Sequence, residues 1–323
     1  LYILSEGNWN MNQAELAYYD IESDNIQKKY FFTQNNTDLG DTGNDLAIYG
    51  SKMYCVVSGA NIDNGGYIEI ITPQTGKSQK RILLKDSEGK NDQPRKITFH
   101  KNKAYITTYS GSVVRLDTTS LEIDAQIKLN GTFPEGICVY NRQLYVCNSG
   151  QGTGNSISVV DIPSFKETKT ITVPQNPVAI CATQEGNIYF TTADLSWLNG
   201  TPSNLHLLNA ETGQVTRSFD IRASRLALGK DYVYTVDNIT NWNTFETTDY
   251  NYKINLKSQE VSVFTNDLWD YFMAYNINVN KANDDVYILG QGQDIAIFNS
   301  EGTLKEKLKT GTGYGNSVIP IFK

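Results

Sequence analysis

Histidine and cysteine, which carry much of the nucleophilic and metal-binding chemistry of proteins, are scarce in this chain. Its 323 residues include only two histidines, His100 and His206, too few for a histidine-rich metal site. The motifs GxSxG, HExxH and CxxC are absent. The four cysteines lie in apolar runs at spacings that match neither a zinc motif nor a disulfide framework: Cys55, Cys138, Cys147 and Cys181. We expect buried free thiols.

An acidic run, DLGDTGND at residues 38–45, contains three carboxylates close enough in sequence to coordinate a cation. Asp38, Asp41 and Asp45 are hard oxygen ligands of the kind that calcium prefers. The run lacks the EF-hand pattern, because no glutamate occupies its twelfth position. We therefore expect a solvated loop here rather than a calcium site.

The overall composition excludes two classes of protein. A net charge of −7 argues against a general nucleic-acid binder, which needs a basic face. The chain is 39% hydrophobic, and no run approaches the roughly 18 apolar residues of a membrane-spanning helix. We expect no transmembrane segment in this chain.

A pair made of an apolar residue and a tyrosine recurs seven times. The tyrosines are spaced 40 to 53 residues apart: Tyr2, Tyr54, Tyr105, Tyr145, Tyr189, Tyr234 and Tyr287. Each pair opens a β-type run, and a second such run ends at a turn. The turn residues are Asp20, Thr72, Asp117, Asp161, Asn209, Asn255 and Asn299. These types suit a turn because their side chains accept hydrogen bonds from backbone amides two residues on.

A third and a fourth β-type run complete each unit before the next apolar–tyrosine pair. Seven four-stranded units predict an all-β fold, a seven-bladed β-propeller that forms a single domain over residues 1–323. The chain begins with a second strand and ends with a spare first strand at residues 315–322. We expect this C-terminal strand to pair with the N-terminal strands, which completes one blade and removes an open edge.

Two segments resemble known families. Residues 144–180, beginning LYVCNSGQGTGNSISVVD, resemble the YVTN repeat of YncE-like propellers, a likeness of packing and turn residues that covers all seven units. The opening, LYILSEGNWNMNQAELAYYD, is similar to the start of surface propeller lipoproteins of gut anaerobes, including the cobalamin-binding BtuG type. This resemblance implies an exported protein at the bacterial outer membrane, a lipid anchor preceding this sequence, corrinoid binding and a TonB-dependent transporter as partner.

Long connections are expected on one side of each blade, at residues 5–14, 32–44, 58–66, 84–94, 148–155, 192–203, 236–249 and 264–274. All four tryptophans lie in or beside them: Trp9, Trp197, Trp242 and Trp269. Other aromatic residues fall on the same side, among them Phe133, Tyr109, Tyr271 and Tyr314. Because aromatic residues are enriched at binding hot spots, we predict a ligand-binding face. The alternative is that each tryptophan packs its own loop onto the blade below.

The repeat also indexes the residue at the start of each innermost strand: Asn44, Arg95, Glu135, Val178, Ser224, Tyr275 and Asn316. These residues are expected to ring the central opening. A polar floor beneath an aromatic rim would suit a large flat ligand rich in amides. We therefore add Asn44, Arg95, Glu135, Tyr275 and Asn316 to the predicted contacts. The alternative is the lining of a water-filled channel.

The sequence is compatible with three functions. The first is a monomeric, non-enzymatic binding protein without cofactor or metal, whose ligand is a corrinoid. The second is a surface-layer adhesin or scaffold that binds protein or glycan, because aromatic rings also stack on sugars. The third is a propeller lactonase or lyase, which needs converging acids at the channel mouth, where only Glu135, Arg95 and Asp45 are available.

The two histidines are expected to lie away from the long loops. His100 falls at a short turn, and His206 falls inside the third strand of its blade. If the ligand is a corrinoid, neither is expected to coordinate the cobalt. Replacing His206 by alanine should then leave ligand affinity nearly unchanged.

Overall fold

The chain is a seven-bladed β-propeller built from antiparallel four-stranded sheets. The computed structural model describes residues 1–59, 65–195, 201–241, 243–244, 246–310 and 313–319. Within them, each blade runs from an innermost to an outermost strand in the orders β28-β1-β2-β3, β4-β5-β6-β7, β8-β9-β10-β11, β12-β13-β14-β15, β16-β17-β18-β19, β20-β21-β22-β23 and β24-β25-β26-β27. The fold class predicted from the repeat is confirmed.

Most of the strands are short. The first two blades contain β1 (Tyr2–Ser5), β2 (Glu15–Asp20), β3 (Asn25–Gln27), β4 (Thr42–Tyr49), β5 (Lys52–Ser58), β6 (Tyr67–Ile71) and β7 (Ser78–Leu83). The next two contain β8 (Pro94–His100), β9 (Lys103–Thr108), β10 (Ser112–Asp117), β11 (Ile123–Lys128), β12 (Pro134–Tyr140), β13 (Gln143–Asn148), β14 (Ser156–Asp161) and β15 (Lys166–Thr172).

The remaining blades follow the same plan. They contain β16 (Pro177–Ala182), β17 (Asn187–Thr192), β18 (Asn204–Asn209), β19 (Gln214–Ser218), β20 (Arg225–Leu228), β21 (Tyr232–Asn241), β22 (Glu246–Asn255) and β23 (Val261–Val263). The last blade contains β24 (Ala274–Val279), β25 (Val286–Gly290), β26 (Asp294–Phe298) and β27 (Leu304–Lys309), and the chain then adds β28 (Gly315–Ile319).

The C-terminal strand completes the N-terminal blade. β28 pairs antiparallel with β1, with Ile3 opposite Val318 and Leu4 opposite Ser317. The predicted strand at 315–322 is therefore confirmed over Gly315–Ile319, and residues 320–322 lie outside the described residues. Because β1 is paired on both sides, neither of its edges is open to another chain.

The chain divides into two compact units. One consists of residues 1–83 and 227–323, and the other of residues 84–226. In the second unit, the innermost strands β8, β12 and β16 lie side by side. In the first, β28 lies between β24 and β4. The contacts described below each fall within one unit.

The repeated tyrosine is a packing residue. All seven are at most 2% exposed: Tyr2, Tyr54, Tyr105, Tyr145, Tyr189, Tyr234 and Tyr287. Five of the rings belong to hydrophobic clusters of the described residues: Tyr2, Tyr105, Tyr145, Tyr234 and Tyr287. Burying an aromatic ring removes a large apolar area from water, so a repeated tyrosine gives every blade the same core element.

We predict that removing the hydroxyl has opposite consequences at two of these tyrosines. The Tyr2 hydroxyl donates to the Pro73 carbonyl at 2.9 Å, whereas the buried Tyr189 hydroxyl has no hydrogen-bond partner within the described chain. Tyr2→Phe should therefore cost about 1 kcal/mol of unfolding free energy, and Tyr189→Phe should be neutral or stabilising. Urea unfolding measures both, and equal losses would contradict the contrast.

The predicted turn chemistry is present in six of the seven units. A backbone amide two or three residues on donates to the side chain of each of these turn residues: Asp20, Asp117, Asp161, Asn209, Asn255 and Asn299. Thr72 differs. Its backbone carbonyl accepts from Gly76, while its hydroxyl accepts from Gln79 at 2.8 Å. The Thr72 side chain therefore bonds to the neighbouring strand β7, while its backbone carbonyl closes the turn.

Three connections predicted as loops contain regular structure, the shortest being a 3₁₀ turn at Gly150–Gly152 in the predicted loop 148–155. A six-residue helix, α1 (Tyr30–Asn35), overlaps the start of the predicted loop 32–44, held by the buried ring of Phe31. Most of the predicted loop 236–249 is hairpin, because β21 and β22 pair continuously from Tyr232 to Asn241. β-Branched residues favour the extended backbone there. No helix in the described part of the chain has the length and apolar character to cross a membrane.

Candidate functional site

β-Bulges open six of the innermost strands. At each one the register skips a residue or two on the innermost strand, and the skipped residues include Asn44, Arg95, Glu135, Val178, Tyr275 and Asn316. These are six of the seven residues that the repeat places at the strand starts. An extra residue leaves the hydrogen-bonded ladder and re-aims its side chain, which is why bulges recur next to functional sites.

Several of these strand starts are tied to the preceding blade. In each tie, a side chain donates to the backbone carbonyl of the strand-start residue: Thr107 Oγ1 to Glu135 at 2.8 Å, Thr191 Oγ1 to Ser224 at 2.9 Å, and Asn276 Nδ2 to Asn316 at 2.6 Å. The tie satisfies a carbonyl that the irregular ladder leaves available. The strand starts are therefore held in fixed positions.

Arg95, Glu135 and Tyr109 form a closed polar cluster in the unit of residues 84–226. Arg95 Nε lies 3.1 Å from Glu135 Oε2, and the Tyr109 hydroxyl donates to Glu135 Oε1 at 2.7 Å. The guanidinium also stacks over the Tyr109 ring at 4.7 Å, and Phe133 meets that ring edge-on. Both oxygens of the Glu135 carboxylate are engaged, so the cluster presents a neutralised, half-buried surface.

A second cluster, in the unit of residues 1–83 and 227–323, joins Tyr275 and Tyr314. Their rings meet edge-on with centroids 5.5 Å apart. The Tyr275 hydroxyl donates to the Glu6 carboxylate at 2.7 Å, and the Glu6 amide donates to the Tyr314 carbonyl at 2.8 Å. Tyr314 has a φ of 57°, a left-handed conformation that non-glycine residues rarely adopt. The structure thus brings these two predicted contacts together.

The two asparagines at strand starts are buried. Asn44 is 2% exposed and donates to the Ser58 hydroxyl at 2.6 Å. Asn316 is 5% exposed, and its side-chain oxygen accepts from the Ser317 hydroxyl. These amides take part in the network of the strand starts. Their contact with a ligand stays a prediction.

A braced loop carries the most exposed tryptophan of the described chain. Trp9 is 71% exposed and Met11 is 62% exposed. Between and after them, the amides of Asn10 and Asn12 donate to the Asp41 carboxylate at 3.0 and 2.8 Å. Two backbone hydrogen bonds to one buried carboxylate fix the loop, so the exposed ring is presented without a large ordering cost.

The acidic run at 38–45 acts as a loop brace. Asp38 accepts from the Asn12 side chain at 3.2 Å, and Asp45 accepts from the amide of Leu46. In the part of the chain that the structure describes, no group of three or more histidine, cysteine or acidic side chains is arranged to hold a metal ion. The three carboxylates instead accept hydrogen bonds from protein groups.

We predict that Asp41→Asn loosens this loop. The amide group replaces one carboxylate oxygen with a donor that faces a backbone N–H, which should cost about 1–2 kcal/mol of stability. Amide hydrogen exchange at Asn10 and Asn12 should accelerate. Asp38→Asn is the control, because Asp38 is exposed and the one described hydrogen bond of its carboxylate comes from a side chain rather than from the loop backbone. Unchanged exchange in Asp41→Asn would show that the loop is held by other contacts.

The tryptophans do not share one role. Trp269 is half-buried: its ring packs edge-on against Phe272 at 4.7 Å and lies 4.4 Å from Lys307 Nζ. It packs its loop onto the blade, as the alternative interpretation held, whereas nearby Tyr271 is 75% exposed. Trp197 and Trp242 lie outside the described residues.

His206 and three of the four thiols are shielded from solvent. His206 lies in β18, 4% exposed and stacked on Phe190, and burial lowers its pKa to about 4. His100 is the last residue of β8. Burial raises the pKa of the Cys138 and Cys147 thiols, which keeps them protonated and unreactive. Three cysteines are buried as expected, and Cys181 is partly exposed.

Three contributors to these clusters were missed as site residues: Glu6, Tyr109 and Asp41. Glu6 reaches Tyr275 across 269 positions of sequence, and Asp41 reaches Asn10 across 31. Hydrogen bonds over such separations leave no local pattern. Glu6 and Asp41 fall in the predicted connections 5–14 and 32–44, and Tyr109 directly follows a strand on the same side of its blade, so position alone marked all three without marking their partners.

A protein-family model decides the relationship of this chain. The model, described as a domain of unknown function, DUF5074, matches residues 1–207, more than half of the chain. The chain belongs to the DUF5074 family. No curated protein matches this DUF5074 chain.

Solved structures resemble the DUF5074 chain in fold. Hydrazine synthase of Kuenenia stuttgartiensis shows a TM-score of 0.70 at 16% identity, over 84% of this chain and 87% of that one. A quinonprotein alcohol dehydrogenase-like protein of Bacteroides thetaiotaomicron gives 0.68 at 11%, over 98% and 77%. The Pan2 WD40 domain of Neurospora crassa gives 0.60 at 11%, over 80% and 76%. At these identities the likeness concerns architecture alone.

Proposed function

We propose that this chain is a non-enzymatic binding protein that captures a large, amide-rich ligand, most specifically a corrinoid, on its long loops. The exposure of Trp9 on a loop braced by Asp41 carries the proposal. A monomeric globular protein gains nothing for its own core by holding a tryptophan 71% exposed. An aromatic ring in a fixed, solvent-facing position is typical of a binding hot spot.

The polar clusters support binding rather than catalysis. Glu135 is neutralised by Arg95 and Tyr109, and Glu6 is bonded to Tyr275. A general acid or base needs a proton-transferring group that is available to the substrate. Carboxylates that are already committed to internal partners suit a preformed polar surface instead. Arg95, Glu135 and Phe133 remain predicted contacts of that surface.

The corrinoid assignment draws on chemistry as well as on the resemblance of the opening segment. A corrinoid carries amide groups around a flat ring. Side chains that both donate and accept hydrogen bonds match amides, and the Trp9 loop offers exposed Asn8, Asn10 and Asn12 beside its ring. We further propose a location at the bacterial outer-membrane surface and a TonB-dependent transporter as partner, both on the strength of that resemblance.

Gel filtration with cyanocobalamin tests the proposal. The purified protein should retain the pink ligand through the column, at one equivalent per chain. Passage of all the cobalamin in the small-molecule volume would contradict corrinoid capture. Binding of a soluble glycan or protein instead would favour the adhesin function.

A further inference from the structure

The blade of β20–β23 has a strongly unequal outer pair of strands. β22 spans ten residues, Glu246–Asn255, but β23 spans only three, Val261–Val263. Their pairing is limited to Tyr252, Lys253 and Ile254 on the β22 side. The N-terminal half of β22 therefore extends beyond its outer neighbour, while β21 covers its inner edge along the whole length.

The alternation of an antiparallel ladder identifies which backbone groups face this open edge. The Asn251 carbonyl accepts from the Phe264 amide, and the Asn255 amide donates to the Glu260 carbonyl, so odd-numbered residues of β22 point outward. Thr247 and Asp249 therefore direct their backbone N–H and C=O groups outward. Within the described residues, no strand pairs with them there. Such an edge is a template for one more strand.

A groove runs along the open edge. It has a volume of about 410 Å³, with β22 from Thr247 to Tyr252 on one side and the segment from Thr265 to Tyr271 on the other. The second wall is anchored at both ends. The Thr265 amide bonds to the Asn251 side chain, and beyond it Trp269 packs on Phe272. The volume falls in the range of ligand pockets, roughly 300–1,000 Å³.

The lining of the groove is acidic and aromatic. Asp249 and Asp270 contribute carboxylates, and Tyr250, Trp269 and Tyr271 contribute rings, while no lysine or arginine is among the described residues that line it. The Asp249 carboxylate also accepts hydrogen bonds from the backbone amides of Met273 and Ala274, which fixes the position of this side chain. Asp270 is exposed. Lys307 lies over the Trp269 ring but is not among the described lining residues, so the lining itself is negative and complements a cation.

We propose that this groove binds an extended, lysine- or arginine-bearing peptide segment of a partner protein, which adds to β22 as a strand through Thr247 and Asp249. Main-chain hydrogen bonds supply the affinity of such a strand addition, and side-chain pockets supply its specificity. A neutral glycan would stack on the aromatic rings but would leave the negative charge of the lining uncompensated. This site is independent of the corrinoid proposal.

Two substitutions at one residue separate the backbone from the side chain. Thr247→Pro removes the outward N–H and leaves the β21 ladder intact, because that ladder uses the even-numbered residues. Thr247→Val changes the side chain and keeps the N–H. The probe is a fluorescein-labelled heptapeptide of alternating lysine and valine, and its binding is measured by fluorescence anisotropy. A control peptide of the same sequence carries N-methyl groups on every second residue.

If the peptide adds as a strand, the parent and Thr247→Val should bind the heptapeptide alike. Thr247→Pro should bind it at least about tenfold more weakly. N-methylation in the pairing register should abolish binding. The Thr247 and Asp249 amides should gain protection from hydrogen exchange. Asp270→Asn should weaken binding about threefold at low salt. Thermal unfolding verifies that each variant is folded.

Equal binding by Thr247→Pro and the parent would overturn the proposal, as would the absence of binding up to about 1 mM peptide. Binding of cellohexaose that is insensitive to Thr247→Pro, with none of the peptide, would assign the groove to glycans and would equally overturn it.

Discussion

Replacing Trp9 by alanine is expected to weaken ligand binding by about 2 kcal/mol, roughly 30-fold, and to leave the free energy of unfolding within about 0.5 kcal/mol of the parent value. The ring is 71% exposed, so its removal creates no cavity. Because Asp41 holds the backbone of the loop, the loop should keep its conformation without the ring. Calorimetric titration with cyanocobalamin and urea unfolding measure the two quantities.

Two further variants make this result specific. Ile21→Ala removes a side chain that is 64% exposed at the turn between β2 and β3, and it should leave affinity unchanged. Trp269→Ala removes a ring packed on Phe272 and should lower stability by about 3 kcal/mol. A Trp9→Ala variant that binds as the parent does would show that Trp9 is not a binding residue. One that loses stability as Trp269→Ala does would show that the Trp9 ring packs its loop onto the fold.

Acidification from pH 6.5 to pH 4 is expected to remove roughly 3 kcal/mol of stability through His206. Burial lowers the pKa of this histidine from 6.5 to about 4. As the pH falls through this interval, the unfolded chain takes up the proton first, so the folded state is progressively disfavoured. Above pH 6.5 the imidazole is neutral in both states and contributes no pH dependence.

The non-titrating variant His206→Gln isolates this effect from the titration of carboxylates. The difference in unfolding free energy between parent and variant should be flat above pH 6.5 and should shrink or reverse toward pH 4. Ser218, which lies 2.8 Å from His206 Nδ1, remains available to the glutamine side chain. Parallel stability curves from pH 7 to pH 4 would contradict the lowered pKa.

Local patterns were sufficient to predict the fold. A buried tyrosine at each second strand and an Asp or Asn at most turns act within a few residues of their own position, so they recur visibly in the chain. The same periodicity placed Arg95, Glu135 and Tyr275 at the starts of innermost strands, where the structure has bulges that the repeat did not predict. Their bonding partners were not predictable, since they come from distant segments.

Exposure and strand length were harder to predict. Trp9 and Trp269 both lie in long connections, but one faces solvent and the other packs on Phe272, a difference set by tertiary contacts. The polar sequence of 236–249 suggested a loop. Its β-branched residues instead extend the hairpin of β21 and β22. Cross-strand pairing decided the conformation against residue polarity.

Calorimetric titration of the parent protein with cyanocobalamin shows whether a corrinoid binds without being transformed, as proposed for the long loops. We expect saturable heat at one site per chain, with the ligand recovered unchanged. The absence of heat and of co-elution, or a ligand recovered chemically altered, would refute corrinoid capture.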